Sequence, residues 1–132
     1  MERSKLVTLA SHHDMGETLA RLRSALHVKG IGIFAEIDHA AGAADVGMDL
    51  RPTTVVIFGN PAAGTPLMQL KQQVGLDLPL RVLVWQDEHG KVWLTYRDPA
   101  SLADEHGLEP GHPALKGLAS ALAGLAQAAT AP

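Results

Sequence analysis

The chain has 132 residues, a formal net charge of −3 and no cysteine. The absence of cysteine excludes disulfide bonds, thiolate catalysis and cysteine-ligated metal, and the net charge argues against a general attraction to nucleic acid or anionic membranes. The 46% apolar and 19% charged residues predict a globular protein with an ordinary core, and no apolar run approaches the roughly 18 residues that span a bilayer.

Length and the N-terminal segment predict one cytoplasmic domain. The chain is near the commonest size of a single domain, and no linker or internal repeat divides it. The first five residues lead into a short alternating segment rather than into the apolar core of a secretory signal. We therefore expect a single domain over residues 1–132, located in the cytoplasm, with no nucleic-acid partner and no membrane partner.

Hydrophobic periodicity predicts eight main elements. In chain order they are a strand over 6–10, a helix between 14 and 30, strands over 31–38 and 55–58, a helix that follows 65, strands over 80–87 and 91–97, and a final helix through 115–125. Residues 39–52 and 99–106 predict only short helical turns. The order β-α-β-β-α-β-β-α predicts an α+β fold, a two-layer α/β sandwich with the helices on one face of a mainly antiparallel sheet.

Capping residues mark the predicted starts of the first two helices. Asp14 with Glu17 three residues later is a capping box, an arrangement that can satisfy two backbone donors. Thr65 precedes Pro66, which is typical of an N-cap residue followed by a proline at the first helical position. The apolar run 55–58, just before this loop, predicts a strand that is covered on both faces.

One register of the hairpin between the last two strands keeps its two faces distinct. A three-residue loop over 88–90 pairs Asp87 with Lys91 and places Gly90 in the left-handed position of a bulge turn. On one face this register aligns Val82 and Val84 with Leu94 and Tyr96. A two-residue loop mixes the faces, and such a slip is disfavoured where one face is buried.

The opposite face of that hairpin is the predicted interface. Two tryptophans on it can bury about 150–250 Å² each, and tryptophan and arginine are enriched at the centres of interfaces. The six residues of this face are Arg81, Leu83, Trp85, Trp93, Thr95 and Arg97. If the helices cover the other face, a second copy of the chain is the favoured cover, which predicts a homodimer. A ligand, residues 39–52 or a packed loop are the alternatives.

The loop that follows residue 58 has the outline of a phosphate-binding loop. Gly59 and Gly64 are separated by four residues and Thr65 follows, but the lysine of such loops is absent and Pro61 removes a backbone donor. Nucleotide hydrolysis is therefore not expected. The free N–H groups of the helix start could hold a smaller anion or a carboxylate, and the alternative is a rigid turn in which Asn60 caps its own backbone.

Asp38 and His39 close the second predicted strand, beside a loop that contains a glycine. A carboxylate next to an imidazole can set the tautomer of a general base. Adjacent residues of a strand point to opposite faces, however, so direct pairing requires the strand to end there. Catalysis by His39 with the help of Asp38 is one hypothesis, and a solvated strand end is the other.

The seven histidines do not form a recognisable metal site. His12 and His13 are neighbours near the first helix, and His106 and His112 lie on either side of a Gly-Leu-Glu-Pro-Gly segment. Neither pair matches a closed zinc pattern, and the sequence H-E-x-x-H is absent. We expect solvated surface histidines, no metal site and no cofactor.

A series of short motifs runs through nearly the whole chain. In order they are Ile37-Asp38-His39, Gly47 with Pro52, Ile57-Phe58-Gly59-Asn60-Pro61, Gly64-Thr65-Pro66-Leu67-Met68, Leu78-Pro79-Leu80, Val84-Trp85, Gly90-Lys91-Val92, and Tyr96 with Asp98-Pro99. The series resembles the bacterial and archaeal family known as domain of unknown function 302, and the likeness covers about residues 6–128. This resemblance implies a small two-layer α/β domain that self-associates, and it implies no reaction.

The resemblance also favours one location for a site. Its motifs at 38–39, 58–61 and 85 fall at the C-terminal ends of three predicted strands, where open α/β sheets commonly place ligands. The predicted ligand-binding residues are Asp38, His39, Gly59, Asn60, Gly64 and Thr65. The leading hypothesis is a homodimeric binding or accessory module for a small ligand, including an anionic one. An enzyme that uses His39 and Asp38, and a structural protein–protein interaction module, are the alternatives.

Overall fold

The computed structural model describes residues 5–132. The prediction that the chain does not begin with a secretory signal concerned the first five residues, which lie largely outside the described residues. The strands are β1 (Leu6–Ala10), β2 (Gly32–Asp38), β3 (Thr53–Gly59), β4 (Leu80–Gln86) and β5 (Val92–Arg97). The helices are α1 (Met15–Val28), α2 (His39–Asp45), α3 (Pro61–Leu70), α4 (Ala100–His106) and α5 (Pro113–Thr130), and a 3₁₀ turn covers Gln72–Asp77. The predicted α+β class is confirmed.

The five strands form one sheet in the order β1-β5-β4-β3-β2. Every neighbouring pair is antiparallel, and β1 and β2 are the edges. The strand β2 contains an irregularity between Ile33 and Ala35, where its register against β3 shifts. A bulge of this kind reverses which side chains of a strand share a face, so the alternation predicted for residues 31–38 does not hold along the whole of β2.

Local signals position α1 much as the sequence predicts. The Asp14 side chain accepts a hydrogen bond from the Glu17 backbone N–H at 2.8 Å, which is one half of the predicted capping box. The Glu17 carboxylate instead pairs with Arg21 at 3.2 Å, one helical turn later. After the helix, Gly30 has a φ of 69°, the left-handed conformation expected of a glycine that ends a helix.

The main hydrophobic core lies between the sheet and the helices α1 and α5. Its sheet side includes Val56, Val82, Val84 and Leu94, all fully buried. The helices contribute the leucines that recur at helical spacing, which are Leu19, Leu22 and Leu26 of α1 and Leu122 and Leu125 of α5. The prediction that helices cover the Val82/Val84/Leu94/Tyr96 face of the hairpin is therefore confirmed.

A second, smaller hydrophobic cluster is built by α3, the 3₁₀ turn, α4 and the first half of α5. Its buried members are Leu67, Val74, Leu102, Ala103, Leu115 and Leu118. Leu80, at the start of β4, is partly buried and packs against both clusters. This second cluster therefore lies at the end of the sheet where β3 ends and β4 begins.

The β4–β5 hairpin has the predicted register. Val82 lies opposite Tyr96, and Trp85 lies opposite Trp93. The Asp87 N–H donates to the Lys91 carbonyl oxygen at 2.9 Å. In the loop, Gly90 has a φ of 79°, so the three-residue loop with a left-handed glycine is confirmed.

The face of the sheet opposite α1 and α5 is not covered by the described part of the chain. We call it the open face. It includes Ala35, Ile37, Val55, Ile57, Leu83, Trp85, Trp93 and Thr95. Val56 and Phe58 of β3 are buried, whereas Val55 and Ile57 are only half-buried. The prediction that β3 is covered on both faces is therefore wrong for a single copy of the chain.

None of the helices within residues 5–132 is both long enough and apolar enough to cross a membrane.

The left-handed turn of the hairpin predicts opposite effects of two Gly→Ala substitutions. Because Gly90 has a positive φ, Gly90→Ala should destabilise the fold by about 1–2 kcal/mol. Gly117 lies in α5 and a Cβ there meets nothing within 4 Å, so Gly117→Ala should raise stability by up to about 1 kcal/mol. Urea denaturation checks both, and a midpoint that moves in the same direction for the two variants would contradict the turn conformation.

Candidate functional site

A cavity of about 310 Å³ opens beside the turn from β3 into α3. We call it the β3–α3 cavity. Most of its lining is apolar, and its principal wall residues are Phe34, Met68, Leu78, Pro79, Leu80 and Leu118. The polar side chains in the lining are those of Asn60 and Thr65, which are both exposed to solvent.

The helix at this cavity begins earlier than the sequence predicts. Asn60, not Thr65, is the N-cap of α3, and its Oδ1 accepts a hydrogen bond from the Ala62 N–H at 3.0 Å. Pro61 takes the first helical position, and Pro66 lies inside the helix. The prediction of an N-cap at Thr65 is therefore wrong, because the pair Asn60-Pro61 supplies the same cap-and-proline signal five residues upstream.

The backbone donors of this helix start are already used by the chain itself. The N–H of Ala62 bonds to the Asn60 side chain, and the N–H groups of Ala63 and Gly64 bond to the Asn60 carbonyl oxygen at 2.9 and 3.1 Å. Pro61 has no N–H to offer. The turn is therefore the self-capped alternative that the sequence left open, and an anion there would have to displace Asn60.

Two glycines keep the cavity clear of side chains. A Cβ added at Gly59 would lie 3.0 Å from Cε2 of Phe34, and a Cβ added at Gly64 would lie 3.2 Å from Cδ1 of Leu78. Neither glycine has a positive φ. Glycine at these two positions therefore allows the backbone to lie close to the apolar walls, and it is not required for an unusual backbone conformation.

The structure brings together four of the six predicted ligand-binding residues. Gly59, Asn60, Gly64 and Thr65 all line the β3–α3 cavity, whereas Asp38 and His39 do not. In the antiparallel pair β2–β3, Gly32 lies opposite Gly59 and Asp38 lies opposite Thr54, which places Asp38 about 20 Å from the cavity end of β2. The prediction placed residues 38–39 and 58–61 together because both follow the C-terminal end of a strand. The C-terminal ends of neighbouring strands meet only in a parallel sheet, whereas β2 and β3 are antiparallel.

Asp38 and His39 have local roles at the far end of β2. The Asp38 Oδ1 accepts from the Ala41 N–H at 2.9 Å and caps α2. His39 is the first residue of that helix and is exposed. Neither residue lines either of the two cavities described for this structure.

The six predicted interface residues all lie on the open face. The rings of Trp85 and Trp93 stack with centroids 6.1 Å apart. The Trp85 indole donates to Thr95 Oγ1 at 2.9 Å, and the Trp93 indole donates to Asp87 Oδ2 at 2.8 Å. The predicted pairing of the two tryptophans on one side of the sheet is therefore confirmed.

Residues 39–52 were one predicted cover for the open face, and their exposure does not support that role. No residue of α2 is buried. The large apolar residues that follow it remain exposed, at 72% for Val46, 66% for Met48 and 48% for Leu50. A segment that packed over the tryptophans would bury these side chains.

Asp87, which bonds to Trp93 of the open face, has a carboxyl pKa below its ordinary value. The Trp93 indole N–H lowers the pKa of the Asp87 carboxyl, and the backbone N–H groups of Lys91 and His89, at 3.0 and 2.9 Å, lower it further. Hydrogen bonds to the charged form of a carboxyl favour that form. The carboxylate thus holds the hairpin turn and the tryptophan together.

Two of the seven histidines, His106 and His112, are not the solvated surface residues that the sequence predicts, whereas His12, His27, His39 and His89 are exposed. His106 is buried; its Nε2 lies 2.6 Å from Asp77 Oδ2 and its Nδ1 lies 3.2 Å from Gln73 Nε2. His112 Nδ1 caps α5 by accepting from the Ala114 N–H at 3.0 Å. The prediction is wrong for these two residues. The partners of His106 are distant in sequence and meet it only in the folded chain, and His112 acts as a helix cap that its sequence surroundings did not predict.

Asp77, Glu105 and His106 form the group of possible metal ligands within the described residues. One ligand atom from each lies within 4.8 Å of the others. Carboxylate and imidazole ligands suit a divalent cation such as Zn²⁺. Both nitrogens of His106 already have hydrogen-bond partners in the chain, so the imidazole has no unfilled requirement that calls for an ion.

Sequence reasoning missed the apolar walls of the β3–α3 cavity. Phe34 is 60% exposed and reaches the cavity from the irregular part of β2. Met68, Leu78 and Pro79 are further wall residues that were not predicted. A pattern of apolar residues flanking glycines is the available signal, but the position of Phe34 depends on a bulge that periodicity does not show.

Comparison with known proteins gives a family and a fold. The family model described as "Domain of unknown function DUF302" matches residues 7–128. A solved structure described as "Crystal structure of uncharacterized conserved protein DUF302 from Bacillus stearothermophilus" aligns with a TM-score of 0.83 and covers 96% of this chain and 99% of that chain. At 22% sequence identity, that likeness concerns the fold.

Two curated relatives have a higher sequence identity to this chain than that structure has, but they are longer proteins. The chain is 50% identical over 105 residues, 80% of its length, to "Fluoride-specific ion channel FluC 1" of Brucella suis biovar 1 (strain 1330), of which the match covers 41%. The same identity and length hold for "Fluoride-specific ion channel FluC 2" of Brucella melitensis biotype 1, of which the match covers 39%. The matched region thus spans about two fifths of the length of these relatives.

The Asp87–Trp93 contact predicts a measurable pKa change. Trp93→Phe removes the indole donor, so the pKa of Asp87 should rise toward its ordinary value of about 3.9. Because the folded-state pKa lies below the unfolded one, this carboxylate stabilises the fold above the unfolded pKa, and the contribution is lost as the pH falls through the folded pKa. The variant should therefore lose less stability on acidification.

An NMR titration of the Asp87 carboxyl carbon checks this expectation. Trp85→Phe is the matched control, because the Trp85 indole donates to Thr95 and not to Asp87. An Asp87 pKa that is the same in the wild type and in Trp93→Phe, or that rises equally in both variants, would contradict the proposed cause.

Proposed function

This chain belongs to the family of domain of unknown function DUF302, and within that family we propose that it acts as a binding module for a small, mainly apolar molecule. The observation that carries the proposal is the β3–α3 cavity, with its apolar walls and its two polar side chains at the mouth. Ligand sites are typically concave, largely apolar and equipped with few polar groups. The proposal concerns binding and includes no reaction.

The size of the cavity limits the ligand. Its volume of about 310 Å³ is about twice the 150 Å³ of an engineered cavity that accommodates benzene, and it is close to the lower bound of ordinary ligand pockets. A single or fused aromatic ring, or an aliphatic group of similar size, matches this volume. A nucleotide does not.

The polarity of the site favours a neutral ligand over an anion. The first N–H groups of α3 already bond to Asn60. No hydrogen bond is formed by the Thr65 side chain within residues 5–132, so its hydroxyl and the Asn60 amide nitrogen can bind one polar group of a ligand. We therefore narrow the expected ligand to an apolar molecule with one hydroxyl, carbonyl or N–H.

The length of the curated relatives leads to a proposal about the place of such a module in a longer protein. The proteins named as fluoride-specific ion channels are more than twice as long as the region they share with this chain. Ion conduction through a bilayer requires segments that span it, and none of the helices described here is able to span it. We propose that the shared region is an accessory domain in those proteins, and that it binds a ligand rather than conducting an ion.

The β3–α3 cavity predicts binding of indole, which is neutral, apolar and carries one N–H. At about 0.5 kcal/mol per non-hydrogen atom, its Kd should be about 0.1–1 mM. Thr65 is exposed and lines the cavity, so Thr65→Trp should fill the mouth and weaken binding at least about tenfold. An NMR titration of the backbone amides measures both affinities.

Leu70→Trp is the control for this experiment. Leu70 is 57% exposed on the same helix but does not line the cavity, and this variant should bind indole as the wild type does. Amide shifts should concentrate at Gly59, Gly64 and Gly75, which line the cavity. The absence of shifts at about 5 mM indole, or an equal loss in both variants, would contradict the proposal.

A second proposed property is self-association through the open face. The specific observation is the stacked pair Trp85 and Trp93, each only half-buried, on a face whose neighbouring residues Val55, Ile57 and Leu83 are also half-buried. Aromatic residues at the centre of an apolar patch are typical of interfaces. We propose that the occupant is a second copy of this chain, which gives a homodimer.

The dimensions of the open face suit a dimer. Five strands about 4.8 Å apart and about 20 Å long give a flat footprint of about 500 Å², and the relief of two tryptophans enlarges the accessible area. A standard interface buries about 800 Å² per partner. Arg81 and Arg97 lie at one end of this face, so they supply charged groups at one edge of the apolar centre.

The dimer predicts a mass of about twice 13.9 kDa in solution. Leu83→Lys places a charge in the centre of the open face and should give the monomer mass, while the fold persists because the lysine stem can lie along an uncovered surface. Leu76→Lys is the control, since Leu76 is 83% exposed in the 3₁₀ turn and away from the face. Size-exclusion chromatography with light scattering at about 100 µM measures the masses.

Circular dichroism establishes that each variant is folded. A wild-type mass of 13.9 kDa at that concentration, or dissociation of Leu76→Lys as well as Leu83→Lys, would contradict self-association through this face.

A further inference from the structure

A second cavity lies at the same end of the sheet and has a different chemical character. Its volume is about 200 Å³, and it shares Pro79 and Leu80 with the β3–α3 cavity. The remaining walls come from the start of β4, the end of β5 and the helices α4 and α5. The polar residues that line it are Asp77, Arg81, Arg97, Asp98 and Ser101.

Two arginines line this cavity, and neither is paired with the two aspartates that also line it. The register of β4 against β5 pairs Val82 with Tyr96, and its continuation by one residue sets Arg81 opposite Arg97. Like charges directly opposite each other on a sheet are unfavourable. Within residues 5–132 neither guanidinium takes part in an ion pair or a side-chain hydrogen bond. An anion between them would remove the repulsion.

Ser101 gives an independent indication of a missing partner. It is 2% exposed and lines the cavity, and its Oγ is the buried side-chain oxygen or nitrogen without a hydrogen-bond partner in the described chain. Buried polar atoms are satisfied in nearly all cases, so an orphan hydroxyl requires an explanation. An acceptor oxygen from a ligand supplies one.

The two carboxylates in the lining are occupied elsewhere. Asp77 Oδ2 lies 2.6 Å from the Nε2 of His106, and Asp98 Oδ1 accepts from the Ala100 N–H at 3.0 Å. The two carboxylates therefore do not pair with the guanidinium groups. Their negative charges would nevertheless repel a doubly charged anion in the cavity. The balance of charge therefore favours a ligand with a single negative charge.

We propose that this cavity binds a small carboxylate, whose oxygens lie between Arg81 and Arg97 and accept a hydrogen bond from Ser101. Guanidinium groups match the planar, two-oxygen geometry of a carboxylate. A volume of about 200 Å³ restricts the ligand to the size range from acetate to benzoate, since about 150 Å³ accommodates a benzene ring. The site is separate from the neutral ligand proposed for the β3–α3 cavity.

Calorimetric titration with sodium benzoate tests the proposal, with benzyl alcohol as the neutral analogue of the same shape. Benzoate should bind at least about tenfold more tightly than benzyl alcohol, because hydrogen bonds to a charged group are strong. Arg97→Gln and Arg81→Gln should each weaken benzoate binding about tenfold or more. Arg51→Gln is the matched control, since Arg51 is exposed and outside the cavity, and it should leave the affinity unchanged.

Ser101→Ala separates a ligand contact from a structural role. Removing an unpartnered hydroxyl should leave the melting temperature of the free protein unchanged or raised, while benzoate binding weakens several-fold. Thr65→Trp should leave benzoate binding intact, which distinguishes this site from the β3–α3 cavity. Benzyl alcohol binding as tightly as benzoate, equal weakening in Arg51→Gln, tighter binding of inorganic phosphate, or no heat of binding at about 10 mM benzoate would each overturn the proposal.

Discussion

The register of the β4–β5 hairpin is the constraint on which the rest of the structure depends. Its closure from Asp87 to Lys91 assigns every side chain of both strands to a face, because side chains alternate along a strand. The same assignment extends to β3 and β1, because β3 pairs with β4 and β1 pairs with β5 in a fixed register. One three-residue loop therefore determines which apolar residues meet the helices and which form the open face. Asp87 reinforces that loop on both sides, through backbone N–H groups and the Trp93 indole.

The path of α1 explains why only one face of the sheet is covered. The helix connects β1 with β2, which are the two edges of the sheet. Its 14 residues extend about 21 Å, close to the about 19 Å between the edge strands of a five-stranded sheet. The helix therefore crosses one whole face, where α5 packs beside it. The other connections that the structure describes are turns or lie at the sheet ends, so the opposite face keeps its tryptophans half-exposed.

The sequence predicted the elements that depend on neighbours in the chain. The two leucine-rich helices, the hairpin register and the pairing of Trp85 with Trp93 follow from spacing alone. Two errors arose where similar local signals compete or where the partner is distant. Asn60-Pro61 and Thr65-Pro66 carry the same capping signal, and only packing of α3 selects the first. His106 is buried by Asp77 and Gln73, about thirty positions upstream, and nothing in its own surroundings along the chain shows that contact.

The two cavities lie together because two hydrophobic clusters meet there. Leu80 packs against both clusters and lines both cavities. Each cavity is also lined by residues that belong to a single cluster. Leu118 of the smaller cluster lines the β3–α3 cavity, and Leu122 of the main core lines the second cavity. A densely packed interior leaves few voids, but two clusters built by different elements need not fit each other along their boundary. The segment between β3 and β4 thus borders both cavities without opening the main core. A ligand at this boundary would contact both clusters, so its binding would stabilise their relative packing.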